Sequence, residues 1–323
     1  MSGTGGRDGG RRRGGRGRGG RERAMVPPAE FTSYYGRPVI KAPVWKVPDV
    51  PAYLFLGGLA GASASMGTLA DATGRPALRR VGRVAAAAGA TASVGALVHD
   101  LGRPERFLNM MRVFKPTSPL SVGSWILAPF SGLATVAAAS ELTGRCPAIG
   151  RLAGAASGVM GPAMATYTAV LLADTAVPAW HEAYHELPFT FAGSALASAG
   201  GLGMLAAPVA DAGPARRMAV LGGTLEIAAT ERFQHRLGML AEPYRTGRPG
   251  RFMTAAKALT GAGTLGALVA GRSRAASAAC GIALTAGAIC TRFAVFTGGV
   301  ASAKDPKYTV VPQRQRLTER EGG

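Results

Sequence analysis

The sequence predicts an all-α, polytopic integral membrane protein of about eight helices, and three observations predict it. Apolar stretches of roughly 20 residues, the length a helix needs to cross a bilayer, recur along the chain. Short turns rich in Arg, Pro and Asp separate them. Most stretches are apolar on every face, whereas the helices of a soluble all-α protein carry a polar stripe. Composition agrees, with 47% hydrophobic and only 17% charged residues in 323.

The elements follow in order. Residues 1–30 are a Gly/Arg-rich tail, and its first 23 residues hold eight Arg against Asp8 and Glu22. Such an arm can attract anionic lipid or nucleic acid, but its expected state is a disordered tail with no nucleic-acid partner. It lacks the apolar core of a signal peptide, and Met25 is an alternative start. Residues 31–49 form an amphipathic lead-in. The membrane domain spans 50–300, with candidate helices Val50–Leu69, Val81–Val98, Ser121–Ser140, Leu152–Ala173, Leu187–Ala210, Met218–Thr230, Phe252–Ala270 and Ala275–Val300. A basic C-terminal tail covers 301–323.

The spans are rich in small residues. Gly57-x-x-x-Gly61 and Gly154-x-x-x-Gly158 are pairs of the kind that lets helix backbones approach closely. Two four-helix bundles in tandem are the expected arrangement. The sixth span is short and carries Glu226; the eighth carries Arg292. A lone charge in a bilayer costs roughly 3 kcal/mol or more. These two are therefore expected to face a cavity or to pair with each other.

With eight spans, alternate loops share a side. His99, His181, His185 and His235, and Trp45, Trp125 and Trp180, all fall on the side where the first span starts. Aromatic belts normally form at both interfaces, so this crowding points to a surface for a partner or an amphipathic ligand. Loops on the opposite side are short and basic, as cytoplasmic loops are. The N-terminal face is accordingly expected to be extracytoplasmic.

Cys146, Cys280 and Cys290 fit no ligand spacing, and the four histidines lie at span ends or in loops. The chain is therefore expected to hold no iron–sulfur cluster, haem or other metal of its own. His181-Glu182-Ala183-Tyr184-His185 matches H-E-x-x-H, which on a helix could bind zinc with the Glu as general base. Pro178 and Pro188 bracket it, leaving about two turns at an interface, so an intramembrane zinc protease is the lesser alternative. A small-molecule transporter is the main alternative, but it would use broken helices near the midplane, and here the polar groups gather at one boundary.

Four segments carry a resemblance. They are Tyr53-Leu54-Phe55-Leu56-Gly57-Gly58-Leu59-Ala60-Gly61, Asp100-Leu101-Gly102-Arg103-Pro104-Glu105-Arg106-Phe107, Lys115-Pro116-Thr117-Ser118-Pro119-Leu120-Ser121 leading into Trp125, and Tyr167-Thr168-Ala169-Val170-Leu171-Leu172. Across residues 31–305 the chain resembles the NrfD-type integral membrane subunit of polysulfide reductase and formate-dependent nitrite reductase complexes. The resemblance implies a prokaryotic, multi-pass subunit of the cytoplasmic membrane that exchanges electrons with menaquinone or ubiquinone as a transient ligand. It also implies two partners, a ferredoxin-like subunit with four iron–sulfur clusters and a molybdopterin catalytic subunit.

Carried over by position, the quinone head group falls among Tyr53, where a family member carries His, and Tyr167, with His99 and Asp100 on the same face. Phenol and imidazole donors suit the two quinone oxygens, and a histidine near its ordinary pKa can move protons. Asp100 is equally suited to a salt-bridged clamp with Arg103 or Arg106. Asp49, Asp174 and Glu226 are proton-transfer candidates. Arg103, Glu105, Arg106, Trp125, His181 and His185 form the expected partner-docking surface.

Overall fold

A computed structural model describes residues 38–322 apart from Pro104. The Gly/Arg-rich tail, Met25 and the start of the lead-in lie outside the described residues, and so does the possibility of a second translation start. Proline opens three long helices, where its missing N–H is one that a helix leaves unpaired anyway. These are α2 (Pro76–Leu101), α4 (Pro119–Thr143) and α5 (Pro147–Ala173). Gly102 and Gly144 end α2 and α4 in the left-handed region, each at φ 69°, the conformation glycine adopts without a Cβ clash. The Ser273 side chain caps α10 (Arg274–Lys304), accepting from Ala276 N at 3.3 Å.

The remaining elements are α1 (Asp49–Ala72), two short helices α3 (Glu105–Met110) and α6 (Pro178–His181), and then α7 (Leu187–Ala206), α8 (Gly213–Arg236), α9 (Gly247–Val269) and α11 (Lys307–Gly322). A 3-10 segment, Gly238–Tyr244, joins α8 to α9. Residues 38–48 of the lead-in are not helical, and most of the basic C-terminal tail is, as α11.

Helices α1, α2, α4 and α5 pack as one four-helix group and α7, α8, α9 and α10 as a second; α1 and α7 meet across the seam. Seven described helices are long and apolar enough to cross a membrane. The eighth long helix, α8, has 24 residues and packs between α7 and α9, but its charged residues keep it outside that set. The sixth span expected at Met218–Thr230 is thus the apolar middle of a longer helix with arginines near both ends.

Small residues set the crossings. A Cβ on Gly61 would lie 2.5 Å from the Gly161 carbonyl, and one on Gly200 would lie 2.6 Å from Ala219 N. Each bundle therefore has a site where only glycine permits the observed approach. At the end of the first bundle away from the N-terminal face, two arginines and two carboxylates interlock. Arg79 reaches Asp71 at 3.1 Å and Glu141 at 3.0 Å; Arg83 reaches the same two at 3.0 and 2.8 Å. This network ties α1, α2 and α4 together.

Candidate functional site

At the N-terminal-face end of the first bundle, α1 places Asp49 and Tyr53 four residues apart. They therefore share one face, about 6 Å apart along the axis. Tyr53 is 3% exposed and its hydroxyl hydrogen-bonds that of Tyr167, 7% exposed, near the end of α5. Asp49 Oδ2 receives a hydrogen bond of 2.7 Å from His99 Nδ1 at the end of α2. The Asp49 side chain is 15% exposed and that of His99 73%. Two phenols buried in the bundle thus lie below a carboxylate and an imidazole that meets water. The arrangement sets a pair of mutually bonded phenol hydroxyls at the bottom and a hydrogen-bonded carboxylate and imidazole at the top.

Asp100 sits differently from the expected clamp. Its Oδ1 accepts from Lys46 N at 2.9 Å, while Arg106 Nη1 donates to the Leu101 carbonyl at 3.3 Å. Lys46 Nζ also reaches the His99 carbonyl at 3.3 Å. The lead-in is thereby tied to the end of α2. It is held on its other side by stacking: the Trp45 ring lies 5.8 Å from Trp180 and 6.3 Å from Phe296. Trp180 is fully buried and donates to the Val295 carbonyl at 2.8 Å. Its indole is a core anchor between α6 and α10, not part of an interfacial belt, a role its position among the loop residues gave no sign of.

The expected docking residues lie on this same face. Arg103, Glu105 and Arg106 are exposed, and so are His181 and His185. Trp125, 40% exposed, stacks edge-on against Phe114 at 5.8 Å. Asp174, at the C-cap of α5, is exposed there too. The H-E-x-x-H segment does not form one helical face. Helix α6 ends at His181, whose Nδ1 lies 3.1 Å from the Ala173 carbonyl, and the His185 ring packs instead on Tyr184 at 3.9 Å. Among the described residues no group of three His, Cys, Asp or Glu is placed to hold a metal.

Glu186, 3% exposed, is gripped by Arg236 through Nε–Oε1 and Nη2–Oε2 contacts of 2.7 Å each. Burial pushes its carboxyl pKa up, but the hydrogen bonds and charge of Arg236, helped by Arg232, outweigh that and hold it below the usual glutamate range.

The second bundle holds the two membrane charges, and they do not form the expected ion pair. Glu226, 2% exposed, is hydrogen-bonded by the hydroxyls of Thr291 on α10 and Thr260 on α9, the latter at 3.4 Å. Arg292, 1% exposed, points to the seam instead. Its Nε donates to the Leu54 carbonyl on α1 at 3.3 Å and its Nη2 to the Phe191 carbonyl on α7 at 3.0 Å. The guanidinium lies 3.7 Å from the Phe191 ring centroid. Hydroxyls meet Glu226 and helix carbonyls meet Nε and Nη2 of Arg292, whose buried Nη1 has no hydrogen-bond partner among the described residues; Thr291 and Arg292 are adjacent on α10 and project in different directions. A small recess beside Glu226 is lined by Thr230, Lys257, Thr260 and Thr291. Lys257 Nζ in turn meets Glu231 at 2.7 Å and Gln234 at 3.2 Å toward the N-terminal face.

Residues 39–222 match the family model described as polysulphide reductase, NrfD, which takes in the whole first bundle, α7 and the first part of α8. No curated protein matches the chain.

Proposed function

The chain belongs to the NrfD polysulphide reductase family and is an integral membrane subunit of a redox enzyme complex, and from that premise we propose that it exchanges electrons between quinol and an iron–sulfur partner at the N-terminal face of its first bundle. The observation that carries this reading is the buried Tyr53–Tyr167 hydroxyl pair one turn below Asp49 and His99.

A quinol gives up two electrons and two protons on oxidation. Tyr53 and Tyr167 hold the head group by hydrogen bonds to its oxygens. Asp49 and His99 take the released protons to water, a task suited to a carboxylate hydrogen-bonded to an exposed imidazole. Asp100 and Lys46 keep the end of α2 and the lead-in in register with that relay. Arg103, Glu105, Arg106, Trp125, His181 and His185 face a ferredoxin-like subunit with four clusters, which passes electrons to or from a molybdopterin subunit. The membrane is the cytoplasmic membrane of a prokaryote, with this face outward. Glu226, with Lys257 and Glu231 above it, and Asp174 at the rim are further proton-carrying positions.

The test uses the intact complex in proteoliposomes with menaquinol or ubiquinol as donor. Tyr53→Phe removes one hydroxyl and keeps the ring. Quinol turnover should fall by about tenfold, the effect of one lost hydrogen bond of about 1.4 kcal/mol. Unchanged kcat and KM for quinol in both Tyr53→Phe and Tyr167→Phe would remove the site.

A further inference from the structure

The first turn of α7 and the last turns of α8 bound a groove of about 750 Å³ on the outside of the second bundle, away from the tyrosine pair. Leu225, Ala228, Ala229, Arg232 and Arg236 line it from α8. Their spacing of three or four residues puts them on one helix face. The groove is therefore graded: arginines at the N-terminal-face rim, small and apolar side chains below. Leu225 lies 11 residues before Arg236, about 16 Å deeper along the helix axis. Phe189, 59% exposed, forms the opposite wall from α7.

The charge at the rim is unbalanced. Glu186 is the carboxylate that meets these arginines among the described residues, and Arg236 covers both its oxygens. Arg232 touches it only at 3.6 Å and leaves 78% of its side chain exposed. The Glu182 carboxylate lies 3.7 Å from Arg316, and only its backbone carbonyl turns to Arg236. One full positive charge and free guanidinium N–H groups thus sit at headgroup level above an apolar trough. Guanidinium forks match phosphate oxygens in geometry.

We propose that this groove binds an anionic phospholipid, its phosphodiester held by Arg232 and Arg236 and one acyl chain lying along Phe189 and Leu225. Charge complementarity chooses the occupant. A zwitterionic lipid leaves the excess charge of Arg232 unmatched, and a neutral quinone head group offers it no anion. The site is separate from the tyrosine pair, so it stands whether or not that pair reacts with quinol.

The test is native mass spectrometry of the purified full-length protein after exchange into mixed phosphatidylglycerol and phosphatidylcholine. The wild type should retain phosphatidylglycerol preferentially. Arg232→Ala, an exposed truncation, should cut that preference by about fivefold, the worth of one basic residue at a membrane surface. Leu225→Trp fills the trough and should lower retention while Arg232 remains in place. The exposed Arg217→Ala, at the opposite end of α8, should leave retention unchanged. Equal retention of the two lipids, an unaltered preference in Arg232→Ala, an equal loss in Arg217→Ala, or displacement of the lipid by a quinol analogue would each overturn the proposal.

Discussion

In the first bundle the fifth residue of the leading helix, Tyr53, meets the closing helix through the hydroxyl of Tyr167; in the second, the fifth residue of the leading helix, Phe191, meets the closing helix through the guanidinium of Arg292. The two bundles place an aromatic ring at the same depth on α1 and α7 and answer it from α5 and α10. The answers differ in kind. The phenols sit one turn below Asp49 and a largely exposed His99. Arg292 donates to carbonyls of both α1 and α7 and is sealed. The comparison teaches that two four-helix groups can meet an aromatic ring at the same position of their leading helix in different ways, with a hydroxyl pair in one and a guanidinium cross-brace in the other.

The comparison breaks first if the scaffolds are not equivalent. Gly61→Val and Gly200→Val each drive a side chain into a backbone at 2.5–2.6 Å. Each should cost about 3 kcal/mol or more, read as loss of folded protein by size exclusion in detergent. Sensitivity in one bundle alone would end the equivalence. Next comes the cross-brace. Phe191→Leu removes the desolvated cation–π contact and should lower stability by about 2 kcal/mol with quinol turnover unchanged, the reverse of the pattern expected for Tyr53→Phe.

A third experiment sharpens the division of labour. Glu226→Gln should leave quinol oxidation intact and lower proton release in proteoliposomes; unchanged stoichiometry removes Glu226 from any proton path. The smallest effect concerns Glu186, which belongs to the rim of the second bundle. Its carboxyl is held below the usual range by Arg236, so it stabilises the fold fully above the ordinary glutamate pKa of about 4.3. That contribution is lost as pH falls through the lower folded-state value. Glu186→Gln should flatten this acid limb of a melting-temperature profile, and an unaltered limb would assign it to other carboxylates.

Much of this architecture is legible in the primary structure. The apolar spans Val81–Val98, Ser121–Ser140 and Leu152–Ala173 mark three helices long enough to cross a bilayer, although the helices start earlier, at Pro76, Pro119 and Pro147, and two of them run on to Gly102 and Gly144. The gathering of His99, His181, His185 and His235 at one end follows from counting helices. Less legible is anything that depends on side chains far apart in sequence. The partners of Glu226 are two ordinary threonines, and nothing in their spacing marks them. Arg292 reads as a counter-charge for Glu226 until the seam supplies carbonyls from α1 and α7. Asp100 reads as a partner for nearby arginines, yet the lead-in folds back and offers Lys46 first. The His181 segment reads as a helix because its spacing is helical, but the chain turns away immediately after His181.

The two threonines that quiet Glu226 have a temporal consequence. Thr260 and Thr291 lie 34 and 65 residues downstream of it. At a synthesis rate of about 5–20 residues per second, the ribosome needs several seconds after making α8 to deliver both. Until Thr260 is made the central carboxylate of α8 has neither hydroxyl, and from then until Thr291 is made it has only one. A chain halted before Thr291 should therefore be a substrate for membrane quality control.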